Sequence, residues 1–483
     1  MNTQENVRSS QYIQETWLMF FNVALALVGT ILFGLSIALG ILPSFSLSVL
    51  VLLIASGGFL MVKGRGSRDL LHPVRVFGAL WCFCLALASM RLLPLISEWG
   101  YVTWSCFLTG LLSFMGGFWL ADRFSRRREV SRGPGREEEA PATRLVTDRK
   151  TLIVASLSLA VGAAVLVYEY HLIGTIPILA DNPDEARLRL FGFAGIVDPQ
   201  FDKLYIKLLH PFVDFMKYGV FLAVIVLCQR TPKSRKVVAL SVVLIVFGTL
   251  MLSSQGGRGF FVNILVAIVV LFHYLRRRVR LAEFVLGCLA LFLIVGVLGS
   301  IRTKASGSGP AFERAMSRSV LPDGEIWEGL AYGYASVTKS FEVFHKLTDD
   351  LRTTQRPGRG FLFWAFHRFI PRSNIQLLSE QLYTGEMITP TYLGEFYGDY
   401  GYWGVLFGSL VLGVGYGYAY MRGEARNRIY WIYVRAMLIQ MLIAFPNMNL
   451  FSYQLTWIWD LFFMYLLMRY LTASGKKQLS IAV

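Results

Sequence analysis

The chain has 483 residues, of which 55% are hydrophobic and 16% charged, whereas soluble domains carry about 25% charged residues. That balance excludes a soluble globular class, and twelve apolar stretches of about twenty residues each point to a polytopic membrane protein. The excess of 47 Lys and Arg over 31 Asp and Glu is therefore a topology signal, not a nucleic-acid footprint, because short cytoplasmic loops of membrane proteins concentrate basic residues.

In chain order, hydropathy predicts spans near 17–41, 45–62, 74–93, 101–120, 151–169, 208–228, 237–253, 260–275, 281–300, 396–420, 430–446 and 452–472. The first, from Trp17 to Ile41, is longer than the apolar core of a cleavable signal peptide and reads as a retained span. Cys82, Cys84, Cys106, Cys228 and Cys288 all fall inside apolar stretches, where none can staple an exposed loop or build a metal site. More than half of the basic residues sit in loops on one side of the alternation, around Arg65, Arg126–Arg128, Lys233, Arg277, Arg426 and Lys476. The positive-inside rule makes that side the cytoplasm, with both termini there.

The expected fold is thus all-α, with about twelve transmembrane helices. It divides into four spans over 1–121, a basic cytoplasmic linker over 122–150 and five spans over 151–300 that include an outer loop at 170–207. A large outer loop follows over 301–395, and three spans with a tail complete the chain over 396–483. The linker mixes charges with Gly133-Pro134-Gly135 and reads as flexible.

The two long outer segments are where function is sought. Trp327, Leu330, Tyr334, Val337, Phe341 and Phe344 recur every three or four residues, which predicts an amphipathic helix on the bilayer or on other spans. The run Phe361-Leu362-Phe363-Trp364-Ala365-Phe366 suits either a membrane interface or a sugar-stacking platform. Trp327, Tyr334, Trp364 and His367 are the glycan-facing candidates.

Arg258, in Ser253-Ser254-Gln255-Gly256-Gly257-Arg258-Gly259, stands in a short outer turn at a helix start. A cation there opposes both the orientation signal and the helix dipole, and either an anion shares the site or the side chain snorkels to headgroups. Arg187, Arg189 and Arg302 are further outer guanidinium groups, each equally compatible with a solvated salt bridge. Glu395 and Asp399, four apart among Gly394, Gly398, Gly401 and Gly404, enter the membrane on one helix face, as catalytic carboxylates or as partners in close glycine packing. Asp214 and Lys217 are expected to pair along one span, and Arg435 with Asp460 across two.

With these residues in view, the chain resembles the Wzy-type O-antigen polymerases, in the superfamily shared with O-antigen ligases. The resemblance rests on Gly174-Thr175-Ile176-Pro177-Ile178-Leu179-Ala180 running into Ala186-Arg187, on Gly257-Arg258-Gly259, and on Leu393-Gly394-Glu395-Phe396-Tyr397-Gly398-Asp399-Tyr400-Gly401, and it covers about 150–420. It implies a bacterial inner-membrane glycosyltransferase that joins undecaprenyl-diphosphate-linked oligosaccharide repeat units at the periplasmic face, without metal or other cofactor. A lipid-linked donor and acceptor are the implied partners, with a chain-length regulator as a further one and no nucleic acid. Arg258, Arg302 and Arg187, then Arg189 and Arg359, would clamp the diphosphate, and Glu395 or Asp399 would take the acceptor proton. Where ligases carry a histidine motif this chain has Thr389-Pro390-Thr391-Tyr392, which disfavours transfer to lipid A-core, with His367 as a displaced equivalent. A lipid-linked glycan flippase is the rival from another class.

Overall fold

Apolar runs bounded by polar caps and helix breakers become helices, and a computed structural model shows where each begins and ends. It describes residues 43–61, 69–93, 99–131, 148–180, 183, 186, 209–229, 233–255, 258–305, 325–354, 391–426, 429–446 and 460–471. The described residues are helical or in turns, without strands. The expected first span lies outside them.

Helix α1 is Pro43–Met61, α2 Pro73–Ser89, α3 Tyr101–Ser131 and α4 Asp148–Ile173. A 3-10 turn over His210–Asp214 leads into α5, Phe215–Cys228; then come α6, Arg235–Ser253, α7, Arg258–Leu275, and α8, Leu281–Ala305. Helix α9 is Glu325–Thr354, α10 Leu393–Arg426 and α11 Ile429–Ala444, and α12 covers 460–471. Local chemistry sets the starts: Pro73 opens α2, where a missing N–H does no harm, and the Ser234 side chain accepts the Val237 N–H to cap α6.

Among the described residues, five helical segments are long and apolar enough to cross a bilayer: Tyr101–Ser125, Asp148–Ile173, His210–Cys228, Arg235–Ser253 and Leu393–Met421. Shorter apolar helices accompany them. The outward faces are apolar too, with Val243, Phe247 and Leu250 exposed on α6, Leu286, Leu289 and Leu293 on α8, and Trp403, Phe407 and Val411 on α10. Water would penalise such continuous stripes and a bilayer does not, so the chain is a polytopic membrane protein.

Three details differ from the sequence expectation. Helix α3 continues to Ser131, into the stretch expected to be flexible, because no Gly or Pro interrupts it before Gly133. Its Arg123 guanidinium lies over the Trp119 ring at 5.3 Å, an interface pairing of cation and aromatic. The amphipathic helix of the large loop runs beyond the Trp327–Phe344 pattern as a 30-residue element, α9. Its apolar face packs on α2, α3 and α8.

The third difference is a break in α10 at Gly401, whose φ of 59° and ψ of −144° only glycine adopts readily. The arm Leu393–Tyr400 folds back so closely that the Phe396 carbonyl occupies the space a Cβ on Gly404 would need. An aromatic cluster holds this junction. Trp81 of α2 meets Phe107 of α3, Phe341 of α9 and Tyr392 ahead of α10, and Tyr392 stacks on Phe445 at 4.8 Å. Each such pair contributes roughly 0.5–1.5 kcal/mol beyond its buried area.

The helices alternate between two ends of the bundle. At one end Asp69 receives hydrogen bonds from His273 and Tyr274 at the close of α7 and from Tyr420 late in α10. At the other end lie the close of α4, the turn between α6 and α7, and the start of α5.

Candidate functional site

The site begins where α4 stops. Gly174, with φ 74°, ends the helix and releases the chain into the 3-10 turn Pro177–Leu179. There the Ile178 N–H donates to the Ser254 carbonyl at 3.2 Å. Ser254 Oγ donates to Met251 O at 2.6 Å, so the Tyr170 hydroxyl, 2.6 Å from that Oγ, is the donor of their shared bond. Two of the three segments singled out in the sequence are thus clasped together: Gly174–Ala180 lies against the residues that lead into Arg258.

Arg258 is the first residue of α7. Arg302 stands in the last turn of α8, inside the helix instead of just beyond it, and since α7 and α8 are consecutive helices joined by the short connection 276–280, both begin or end at this side of the bundle. Their side chains lie outside what is described, as do Arg187, Arg189, Arg359, Trp364 and His367 entirely.

Beside the clasp is a buried carboxylate that the sequence reading passed over. Glu169, one residue before Tyr170, is 1% exposed. Its Oε1 lies 2.9 Å from His210 Nδ1, while Oε2 is enclosed without a hydrogen-bond partner. An acid within an apolar span is a functional candidate by rule, and the rule that flagged Glu395 would have flagged this residue.

Glu395 and Asp399 share a face of the α10 arm, as their spacing predicts, and both are buried. The arm is held by Tyr392 N–H donating to Phe445 O at 3.1 Å and by Tyr397 against Phe344 of α9, with ring centroids 5.7 Å apart. It packs among α2, α3, α9 and α11, apart from the α4–α5–α6 group that carries Glu169.

Helix α9 is tied down by polar contacts. Trp99 Nε1 donates to Glu342 at 3.0 Å, Thr103 Oγ1 lies 2.9 Å from His345 Nδ1, and His345 Nε2 is 3.4 Å from Asp349. Tyr334, expected to face a glycan, is buried, and its hydroxyl accepts the Leu92 N–H at 3.1 Å, so its ring offers no face to a sugar in this arrangement. Trp327 is exposed. Burial, with some repulsion from Lys346, lowers the Lys339 ammonium to about 8.

The expected Asp214–Lys217 pair forms at 2.7 Å. The expected Arg435–Asp460 pair does not: Asp460 instead accepts from Tyr218 at 2.7 Å and meets Lys217 at 3.4 Å. Arg435 lies over the Tyr420 and Tyr274 rings at 4.9 and 5.5 Å. The reason is helical phase. Tyr430 is an α11 residue that reaches α12, its hydroxyl 3.5 Å from the Leu461 carbonyl, and Arg435, five positions later, lies about 140° further round the helix. Among the described residues no group of three or more His, Cys, Asp or Glu is gathered to hold a metal ion.

Compared with known proteins, the chain matches no family model, no curated protein and no solved structure.

Proposed function

We propose that the chain is a membrane glycosyltransferase of the Wzy type, polymerising undecaprenyl-diphosphate-linked oligosaccharide repeat units at the outer face of a bacterial inner membrane. In this reading the chain spans the bilayer about twelve times with both termini in the cytoplasm, and the end carrying Glu169, Arg258 and α9 faces the periplasm.

The observation that carries the reading is the clasp between Ile178 and Ser254, which sets the Gly174–Ala180 segment against the turn opening α7 at Arg258. A helix start offers unpaired backbone N–H groups to an anion, and guanidinium forks pair bidentately with phosphate oxygens. The hard part of the reaction is the charge that grows on the departing diphosphate as the sugar becomes oxocarbenium-like. Preorganised cations aimed at that charge supply the largest single stabilisation. Arg258 is the central clamp, with Arg302 and Arg187 as its further members and Arg189 and Arg359 as weaker candidates.

The test is purified protein in nanodiscs given lipid-linked repeat units, with and without lipid A-core. Long polymers on undecaprenyl diphosphate support the reading; product only on lipid A-core makes the chain a ligase; and translocation without glycosidic bond formation makes it a flippase. Arg258→Ala should abolish long polymers while the protein still inserts, and Arg258→Lys should recover little, because a point charge cannot reproduce the fork.

A further inference from the structure

We propose that His210 and Glu169 form the proton-accepting dyad of this transfer, His210 taking the proton of the acceptor sugar hydroxyl and Glu169 positioning its ring; the inference rests on the glycosyltransferase reading above. Four observations converge on it. In the dyad Glu169 is the acceptor of the 2.9 Å contact, so that His210 Nδ1 carries the proton and Nε2 is the ring atom that takes the proton of the acceptor sugar. The His210 side chain is 32% exposed while that of Glu169 is 2% exposed, so the ring spans the boundary between a buried anion and the surface.

Next, Glu169 Oε2 is enclosed and unbonded. A buried polar atom without a partner costs about 1–3 kcal/mol, so this oxygen has capacity for a further donor. In the proposed step the ring becomes an imidazolium held by its contact with Glu169, as in other carboxylate–histidine pairs. The dyad also stands on the frame of the diphosphate site: Tyr170, the next residue after Glu169, holds Ser254, which holds Ile178. Finally, Ile176, Ile178 and Leu179 in the segment after α4 and Phe212 in the turn that carries His210 expose apolar side chains, and apolar surface on the two segments that flank a polar pair fits an amphiphilic, lipid-linked ligand.

The step balances without a co-reactant. The acceptor oxygen bonds to the anomeric carbon as the bond from that carbon to the diphosphate oxygen breaks, and the electron pair leaves with undecaprenyl diphosphate. The hydroxyl proton passes to His210 Nε2 and then to water, restoring the neutral ring. Among the described residues of the elements packed here, the other titratable groups are Tyr168, Tyr170 and His171 near the close of α4, and Asp214, Lys217 and Tyr218 along the start of α5.

The test is the nanodisc polymerisation assay on wild type, His210→Gln, Glu169→Gln and Glu169→Asp, read as kcat, KM and a pH–rate profile. For His210→Gln we expect kcat to fall about 100-fold or more with KM little changed, and the acidic limb of the profile to vanish. Glu169→Gln should lower kcat about 10-fold at unchanged KM, with partial recovery in Glu169→Asp. Thermal unfolding of each variant in the same nanodiscs separates chemistry from misfolding, and kcat is taken per folded molecule. A wild type that forms no glycosidic bond overturns the glycosyltransferase reading. A wild type that polymerises while His210→Gln keeps its kcat and acidic limb overturns the dyad and leaves that reading standing.

Discussion

Two buried carboxylates at opposite ends of the bundle are built for different tasks. Asp69 is saturated. His273 Nε2 and the Leu71 N–H reach Oδ1 at 2.9 and 3.0 Å, and the hydroxyls of Tyr274 and Tyr420 reach Oδ2 at 2.8 and 2.7 Å. The Val279 N–H donates to His273 Nδ1, which fixes the proton on Nε2. Burial would raise the Asp69 carboxyl, but the hydrogen bond from His273, then those from the two tyrosines, outweigh it and hold it well below the usual carboxylate range. Glu169 has one oxygen bonded and one bare, and its histidine opens to the surface. A saturated anion locks helices together and leaves nothing for a ligand. A carboxyl with an oxygen to spare, paired to a histidine that is one-third exposed, is the arrangement we propose for proton transfer.

The largest effect should come from Asp69→Ala, which leaves the His273, Tyr274 and Tyr420 donors buried without an acceptor. Thermal unfolding in detergent should show a loss of about 3–5 kcal/mol, and a loss below about 1 kcal/mol would erase the contrast between the two ends. Gly401→Ala comes next, at roughly 2–3 kcal/mol. A Cβ there meets open space, so the whole penalty is backbone strain at φ 59°, and an unchanged melting temperature would show that the α10 arm is not held in this fold-back.

The Asp69 end should also show a pH signature. Burial, ahead of smaller effects from Asp69 and Arg75, holds the His72 ring down at about 4. The unfolded chain takes up that proton near 6.5 and the folded chain only near 4, so stability falls as pH drops through this window. The loss should be on the order of 2 kcal/mol once solvent screening is allowed for. His72→Gln should flatten the curve there; an identical slope would assign it to other groups. The smallest effect is Tyr334→Phe, which removes the acceptor for the Leu92 N–H and should lower unfolding stability by about 1 kcal/mol.

Hydropathy made the membrane helices legible because lipid leaves a long apolar window no other use. The expected 237–253 and 260–275 spans lie within two residues of α6 and α7, whose starts are fixed by the Ser234 cap and by the turn before Arg258. The break at Gly401 was not legible, since an average over a window carries no φ angle. Nor was the Glu169–His210 pair, which joins residues 41 apart through the packing of α4 on the start of α5. Lys217 with Asp214 was visible because helical spacing brings them together. Arg435 was misassigned because depth along two helices was read without the phase that decides which face each residue presents.

Asp69→Asn and Glu169→Gln, measured side by side for unfolding stability and for polymer formed per folded molecule, test the contrast most directly. We predict that Asp69→Asn loses stability and keeps its turnover, while Glu169→Gln stays within about 1 kcal/mol of wild type and loses turnover. The reverse pattern, or equal losses of both kinds in both variants, would contradict a division between a locking end and a reacting end.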